Sequence, residues 1–231
     1  MSFEDICETK GLKDFELYGV VQLLKQNGEL IDVVNGELVI LKTPPKSSDI
    51  YVVPTISDHL RLLLISDTHL CNKSDRLDIL RYLYGKAEDR GVKHILHSGD
   101  FTDGLSNRPE QVYELKEVSY EGQVQYCVDK YPKFSGKTYV IQGNHDDWWF
   151  KRCGSEIVKA IAQQRDDIIY LGADVADLHL GKLKVRLFHG QGGSSYAVSY
   201  KIQKYLDSIP LEERPDILQT GHIHRAFYMH N

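Results

Sequence analysis

No stretch of this chain approaches the roughly 20 consecutive apolar residues that cross a bilayer, and its opening MSFEDICETK lacks the basic start and apolar middle of a secretory leader. A cytoplasmic protein with no membrane partner is the expectation. Cysteine is scarce and scattered: Cys7, Cys71, Cys127 and Cys153 form no CxxC pair, which excludes a zinc knuckle and a disulfide framework. They read as reduced thiols, Cys71 as a small buried apolar residue. Positive charge is not in excess either, since the formal net charge is −5 at pH 7. That argues against a broadly basic nucleic-acid surface but not against a local one created by bound cations. There is no internal repeat and no low-complexity tract.

At 231 residues the chain can hold one sizeable core with a small appendage. Near the start, DFELYGVVQLLKQ (14–26) places Leu17, Val20, Val21 and Leu24 on one helical face. Asn27-Gly28 then turns the chain, and Asn35-Gly36 sits between two β-rich arms, a strong hairpin signal. Residues 1–43 therefore read as an αββ segment resembling part of a winged helix, though with few positive charges. Pro44-Pro45 opens a linker and lead-in strand over 44–57, and 58–231 reads as one continuous domain. Strands are expected at 50–53, 61–66, 93–98, 137–142, 168–171, 183–189 and 216–220. Helices are expected at 75–90, 110–131, 155–165 and 196–208. Their alternation predicts an α/β architecture.

Several of those strands end in polar residues of one chemical kind. LLLISDTHL is greasy enough for a strand buried on both faces, yet it breaks into Asp67 and His69. KHILHSGD ends in Asp100, KTYVIQGNHDD in Asn144, His145 and Asp146, KVRLFHG in His189, and DILQTGHIH in His222 and His224. Any one of these is ordinary: a histidine after a strand is usually a hydrogen-bonded residue, and Gly-Asp is usually a turn. Together, at the edge where α/β sheets bind ligands, they concentrate groups whose desolvation and repulsion need compensation. Two divalent cations would supply it.

DTH, GD, GNHD, the later His and GHIH, in that order, resemble the signature of the calcineurin-like metallophosphoesterases from about Leu60 to His224. The resemblance implies two packed mixed β-sheets flanked by helices, with a binuclear metal centre at the strand ends. It implies that Asp67, His69 and His224 hold one metal, that Asn144, His189 and His222 hold the other, and that Asp100 bridges them. Two divalent ions against Asp67 and Asp100 leave a formal surplus of about two positive charges, which attracts phosphate. Metal binding brings water toward a pKa of ~7, so a bridging hydroxide is the implied nucleophile. His145 would protonate the leaving oxygen or bind the phosphoryl group, and Asp146 would fix its tautomer, cap a helix or turn, or do both. Mixed nitrogen and oxygen ligation suits Mn²⁺, the favoured ion, and also Fe²⁺, Zn²⁺ or Ni²⁺.

The expected activity is hydrolysis of phosphodiester bonds, with nucleic acid or a nucleotide as substrate. The chain reads GDFTDG and GNHD, where phosphoprotein phosphatases of the superfamily read GDxxDRG and GNHE. Alternatives are a phosphomonoesterase on small molecules or phosphoprotein, and a non-catalytic interaction module on the same fold. Trp148, Trp149 and Phe150 cannot all face one core, so one is expected near the surface, and Trp148 is a candidate to stack a base. Gly192, Gly193 and Ser194 precede a helix and are candidates to bind phosphate through backbone N–H groups. The 101–136 segment, with Val112, Leu115 and Val118 on one face, is expected to carry a long helix beside the site. The chain ends seven residues after His224, where family members usually continue, so a C-terminally truncated domain is the expectation.

Overall fold

The greasy runs around Leu62, His94 and Lys137 are strands because each alternates its aliphatic side chains between two different cores. In β4 (Leu62–Ile65), β5 (His94–His97), β6 (Lys137–Gln142) and β7 (Ile168–Ala173), all parallel and adjacent in that order, Ile95 and Val140 point to one side. Leu96, Tyr139 and Ile141 point to the other. The first side packs under α3 (Leu77–Asp89), α4 (Tyr120–Lys130) and α6 (Ile157–Ala162) through Leu80, Tyr84, Val124, Cys127 and Ile161. The second meets a second sheet. That sheet runs β10 (Ile217–Thr220), β9 (Leu183–Phe188), β8 (Val175–Leu180), β3 (Ile50–Val53), with only the β8/β9 pair antiparallel. Two four-stranded sheets flanked by helices match the expected mixed α/β sandwich.

The structure is a computed structural model that describes residues 3–26, 31–34, 37–40, 50–53, 59–190, 199–226 and 228–229. The chain divides into two compact units, Met1–Lys46 with Gly190–Arg214, and Ser47–His189 with Pro215–Asn231. The first contains α1 (Phe3–Lys10), α2 (Asp14–Gln26), the antiparallel pair β1 (Ile31–Val34) and β2 (Glu37–Ile40), and α7 (Tyr200–Ser208). Its small core is Cys7, Leu17, Val21 and Ile31, with Leu24 packed against it. Val20, expected on that face, is instead exposed. The turns at Asn27-Gly28 and Asn35-Gly36 and the Pro44-Pro45 linker lie outside the described residues.

Helix α1 was not expected from the sequence, and three further elements differ from the expectation. The long helix of 110–131 is broken: Pro109 starts a short 3-10 turn ending at Tyr113, Leu115 bridges to Asn72, and α4 begins only after Ser119, whose hydroxyl accepts the Gly122 N–H. Val112 and Val118 are consequently exposed while Leu115 is buried. Strand β8 was unforeseen because Asp177 and His179 interrupt VADLHL, although the alternation is that of a half-buried strand. Helix α5 (Asp147–Cys153) also went unforeseen, hidden in an aromatic run.

Arg165 pins the helical layer to this frame. Its guanidinium donates to the carbonyls of Val128, Tyr131 and Pro132 and makes a bidentate pair with Asp167 at 2.8 and 2.7 Å. Burial opposes ionisation of Asp167, but the Arg165 guanidinium outweighs it and lowers the carboxyl below its ordinary value. The stability owed to that carboxylate is present above the unfolded carboxylate range, about pH 4, and is lost as pH falls through the folded value. Asp167→Asn should therefore melt lower than the wild type at neutral pH, with the two curves converging in acid. Arg165→Ala should cost ~3–5 kcal/mol at neutral pH, because it strands a partly buried charge.

Candidate metal centre

Hydrogen bonding between β4 and β5 does not stop where the strands do. Ser98 N donates to Ile65 O, Asp67 N to Gly99 O at 2.9 Å, His69 N to Asp100 O at 3.1 Å, and Leu70 N to Phe101 O at 3.0 Å. The turns that carry the candidate ligands Asp67, His69 and Asp100 are thus joined along their length. From the other sheet, Gln219 of β10 sends its amide N–H groups to Ile65 O at 2.8 Å and Leu96 O at 3.1 Å. That bond fixes the level at which the His222 and His224 turn meets the first sheet, and His222 N closes it by donating to Asp67 Oδ1 at 2.9 Å.

The turns are sharp. Asp67, His69, Asp100, His222 and His224 all have φ between 41° and 72°, a left-handed region that side chains other than glycine rarely occupy. Each costs of order 1–3 kcal/mol, a strain typical of functional sites. Where ligand turns touch one another only glycine fits: a Cβ on Gly143 would collide with Asp100 N and Oδ1, and one on Gly99 with the His189 ring.

The result is two donor groups sharing the Asp100 carboxylate, with a third group, His69, Asp103 and His145, beside the first. Ligand atoms of Asp67, His69, Asp100 and His224 lie within 4.8 Å of one another, as do those of Asp100, His189 and His222. In the first group His69 Nε2 is 3.1 Å from His224 Nε2 and 3.7 Å from Asp100 Oδ2, and His224 Nε2 is 3.3 Å from Asp67 Oδ1. In the second, His189 Nε2 is 3.2 Å from Asp100 Oδ1, and Asn144 Oδ1 lies 2.9 Å from His189 Nε2 and 2.8 Å from His222 Nδ1. Asp100 turns one oxygen to each group. All seven residues expected to bind metal are brought together.

The tautomers decide what these donors can hold. His189 Nδ1 lies 2.8 Å from the Ser98 carbonyl, which can only accept, so Nδ1 carries the proton. In the neutral ring Nε2 then faces Asn144 Oδ1 and Asp100 Oδ1 with a lone pair. His69 places Nδ1 3.2 Å from Asp103 Oδ1, which likewise turns its Nε2 lone pair toward His224 and Asp100. Lone pairs converging without a donor require a cation or an extra proton, and the chain's own electrostatics register this. Burial opposes protonation of His189, yet Asp100 beside it raises the ring to about 9. Burial likewise opposes ionisation of Asp100, and His189 and its neighbours hold it at about 2. The donor set fits divalent metal ions.

His145 stands beside the first group, its ring centroid 4.4 Å from that of His69 and 4.0 Å from that of Trp148. Its backbone N–H donates to Asp100 Oδ1 at 2.8 Å, and its Nδ1 donates to the Asp103 carbonyl at 3.0 Å, leaving Nε2 for transfer. Burial opposes protonation of this ring, but the Asp103 carboxylate at 3.6 Å raises it above its ordinary value.

Asp146, expected either to orient His145 or to cap a turn, does not orient the ring. Its carboxylate is fully buried and accepts from Phe101 N at 3.0 Å, Thr102 N at 2.7 Å, Thr102 Oγ1 at 2.8 Å and Gly143 N at 3.0 Å. It clamps the Asp100 turn to the Asn144 turn, and burial together with Asp100 pushes it up to about 6. The residue beside His145 is Asp103, which sequence reasoning missed. Asp103 also accepts from Asn72 and Gln111 and is held well below the usual carboxylate range, its hydrogen bonds outweighing burial. The signal available was the second aspartate in GDFTDG, three residues after Asp100 and easily taken for a turn. Counting Asp103, the formal surplus left by two divalent ions falls to about one positive charge.

Two smaller expectations resolve here. Trp149 is buried, its indole donating to Gln123 at 3.0 Å, while Phe150 is exposed and Trp148 lies half-buried against His145. Cys71 is fully buried as expected. Gly192, Gly193 and Ser194 lie outside the described residues.

The family model for the calcineurin-like phosphoesterase superfamily domain matches residues 60–231. A DNA polymerase II small subunit of Thermoplasma acidophilum is 26% identical over 202 residues, covering 71% of this chain and 41% of that protein. A DNA polymerase II small subunit of Methanocaldococcus jannaschii is 23% identical over 255 residues, covering 90% of this chain and 41% of that protein. The chain spans about two fifths of the length of the curated relatives it matches.

Proposed function

The chain belongs to the calcineurin-like phosphoesterase superfamily, and from that premise we propose that it hydrolyses phosphodiester bonds with two divalent metal ions, Mn²⁺ favoured, acting on nucleic acid. Asp67, His69 and His224 would hold one ion, Asn144, His189 and His222 the other, and Asp100 both. Bound there, such a pair would supply Lewis-acid activation of water and stabilisation of the charge that develops on the phosphoryl oxygens.

The chain's own residues do the rest. Water oxygen bonds to phosphorus as the P–O bond to the departing alcohol breaks. The departing oxygen takes a proton from His145 Nε2, and the proton released by water restores the ring. Asp103 supports the charged ring through its carboxylate and holds Nδ1 through its carbonyl. Asp103 also keeps His69 in the tautomer whose Nε2 binds metal.

The observation that carries this reading is the convergence of seven donor side chains, with the Nε2 lone pairs of His69 and His189 facing inward, beside a positioned histidine. A scaffolding role alone would leave those ligands free to drift, and none is missing. The similarity to DNA polymerase small subunits supports DNA as the substrate and a polymerase subunit as the partner. Metal analysis after mild purification should find close to two divalent ions per chain, with Mn²⁺-dependent cleavage of single-stranded DNA in a panel that includes duplex DNA, a cyclic nucleotide and a phosphomonoester. Absence of metal even after Mn²⁺ supplementation would overturn the proposal.

A further inference from the structure

The cleft beside this site is lopsided. It has a volume of about 490 Å³, within the ~300–1,000 Å³ of small-molecule pockets, and its polar end is formed by Asp67, His69, His224, Asp103 and His145. None of Asn144, His189 and His222 lines it. From the polar end it runs along the first turns of α3, where Ile79, Leu80 and Leu83 form an apolar wall. Ile79 is 42% exposed, a large apolar side chain left facing solvent beside a charged site. At the rim stands Arg76, held in a bidentate pair with Asp78 at 2.9 and 2.7 Å.

We infer that this cleft receives the departing side of the scissile bond and is shaped for a nucleoside. The inference rests on the reading above, in which His145 protonates the leaving oxygen. A proton donor must lie within hydrogen-bond reach of the oxygen it serves. The group attached to that oxygen therefore leaves on the His145 side, where the cleft is. The wall of Ile79, Leu80 and Leu83 offers an aliphatic surface for the face of a base. A short aliphatic alcohol, such as the side chain of a phosphoserine, would leave that wall uncovered. Selectivity of this protein then lies in what departs rather than in what stays.

A double-mutant cycle between protein and substrate tests this. Two dinucleotides are made abasic, one on the side that product analysis shows to depart, one on the side that is retained. In the wild type, removing the departing base should lower kcat/KM by about tenfold, the order of one stacked base. In Ile79→Glu the same removal should cost little, whereas removing the retained base should cost the same in both proteins. The cycle is repeated in Kd with dinucleotides whose scissile oxygen is replaced by methylene, read by fluorescence anisotropy. Ile79→Ser gives a milder second variant, and thermal melting checks that both fold. If losing the departing base costs the wild type and both variants equally, the assignment is overturned. If no diester is cleaved although metal is bound, the catalytic reading fails, and the binding cycle, run with each base removed in turn, decides only whether one of the two bases sits on the Ile79 wall; equal losses in all three proteins for both bases overturn the cleft as well.

Discussion

His145→Ala should keep its metal content and melting temperature while kcat on a dinucleotide falls by ~10²–10⁴, the usual worth of a positioned general acid. The histidine is outside both proposed ligand sets, and its structural ties are its backbone N–H to Asp100 and its ring to Asp103, His69 and Trp148. Alanine preserves the first. The deficit should shrink on a p-nitrophenyl diester, whose leaving group departs without a proton, and that contrast separates proton donation from general damage. Equal losses on both substrates, or loss of metal, would remove His145 from the proton-transfer role. Asp103→Asn should reproduce part of the deficit and also weaken metal binding, since Asp103 serves His69 as well as His145.

The second large effect is expected at Asp146, and there it should appear in folding and metal affinity first. Asp146→Ala strands three backbone N–H groups and a hydroxyl in a buried place. At about 1–3 kcal/mol for each unsatisfied donor, partial relaxation still leaves a loss of roughly 3 kcal/mol or more. The stranded groups belong to the turns carrying Asp100 and Asn144, so metal affinity should fall by ~10–100-fold, as when partners of metal ligands are removed. Thermal melting in a chelator reads the first effect, and melting against added Mn²⁺ the second. An Asp146→Ala protein with wild-type stability and metal affinity would show that the two turns hold their places without the clamp.

The site was far more legible in the sequence than its surroundings, for a physical reason. A candidate metal ligand must be a particular side chain just beyond a strand, so the proposed ligands Asp67, His69, Asp100, Asn144, His189, His222 and His224 each announce themselves after an apolar run. The layer beneath them is made of contacts that many residue types could provide. Asp146 as a cap and Asp146 as a partner of His145 are indistinguishable in GNHD; only the buried distances to Phe101, Thr102 and Gly143 separate them. Asp103 hid because its role depends on Asn72 and Gln111, both remote enough that no local pattern marks the contact. Of the elements, β4 stood out as an unbroken aliphatic run, and β5 and β6 by the aliphatic pairs Ile95-Leu96 and Val140-Ile141 that face two cores, whereas β8 carries Asp177 paired with Arg186 across the sheet and so lost the apolar signature. The helix expected across 110–131 failed because residue pattern registers amphipathic spacing but not the capping hydroxyl of Ser119 or the tie between Leu115 and Asn72.

The left-handed residues at the rim limit how this protein could become more heat-resistant. Glycine would relax the backbone at Asp67 or His222, but it would delete the group for which the turn exists, so the tension cannot be removed position by position. Improvement has to be found away from the rim, in the helical layer around Tyr84 and Arg165 or on exposed helix faces, where substitution is free of chemical duty. A lineage adapting to hotter surroundings would be expected to rewrite those regions and to leave the bent turns as they are.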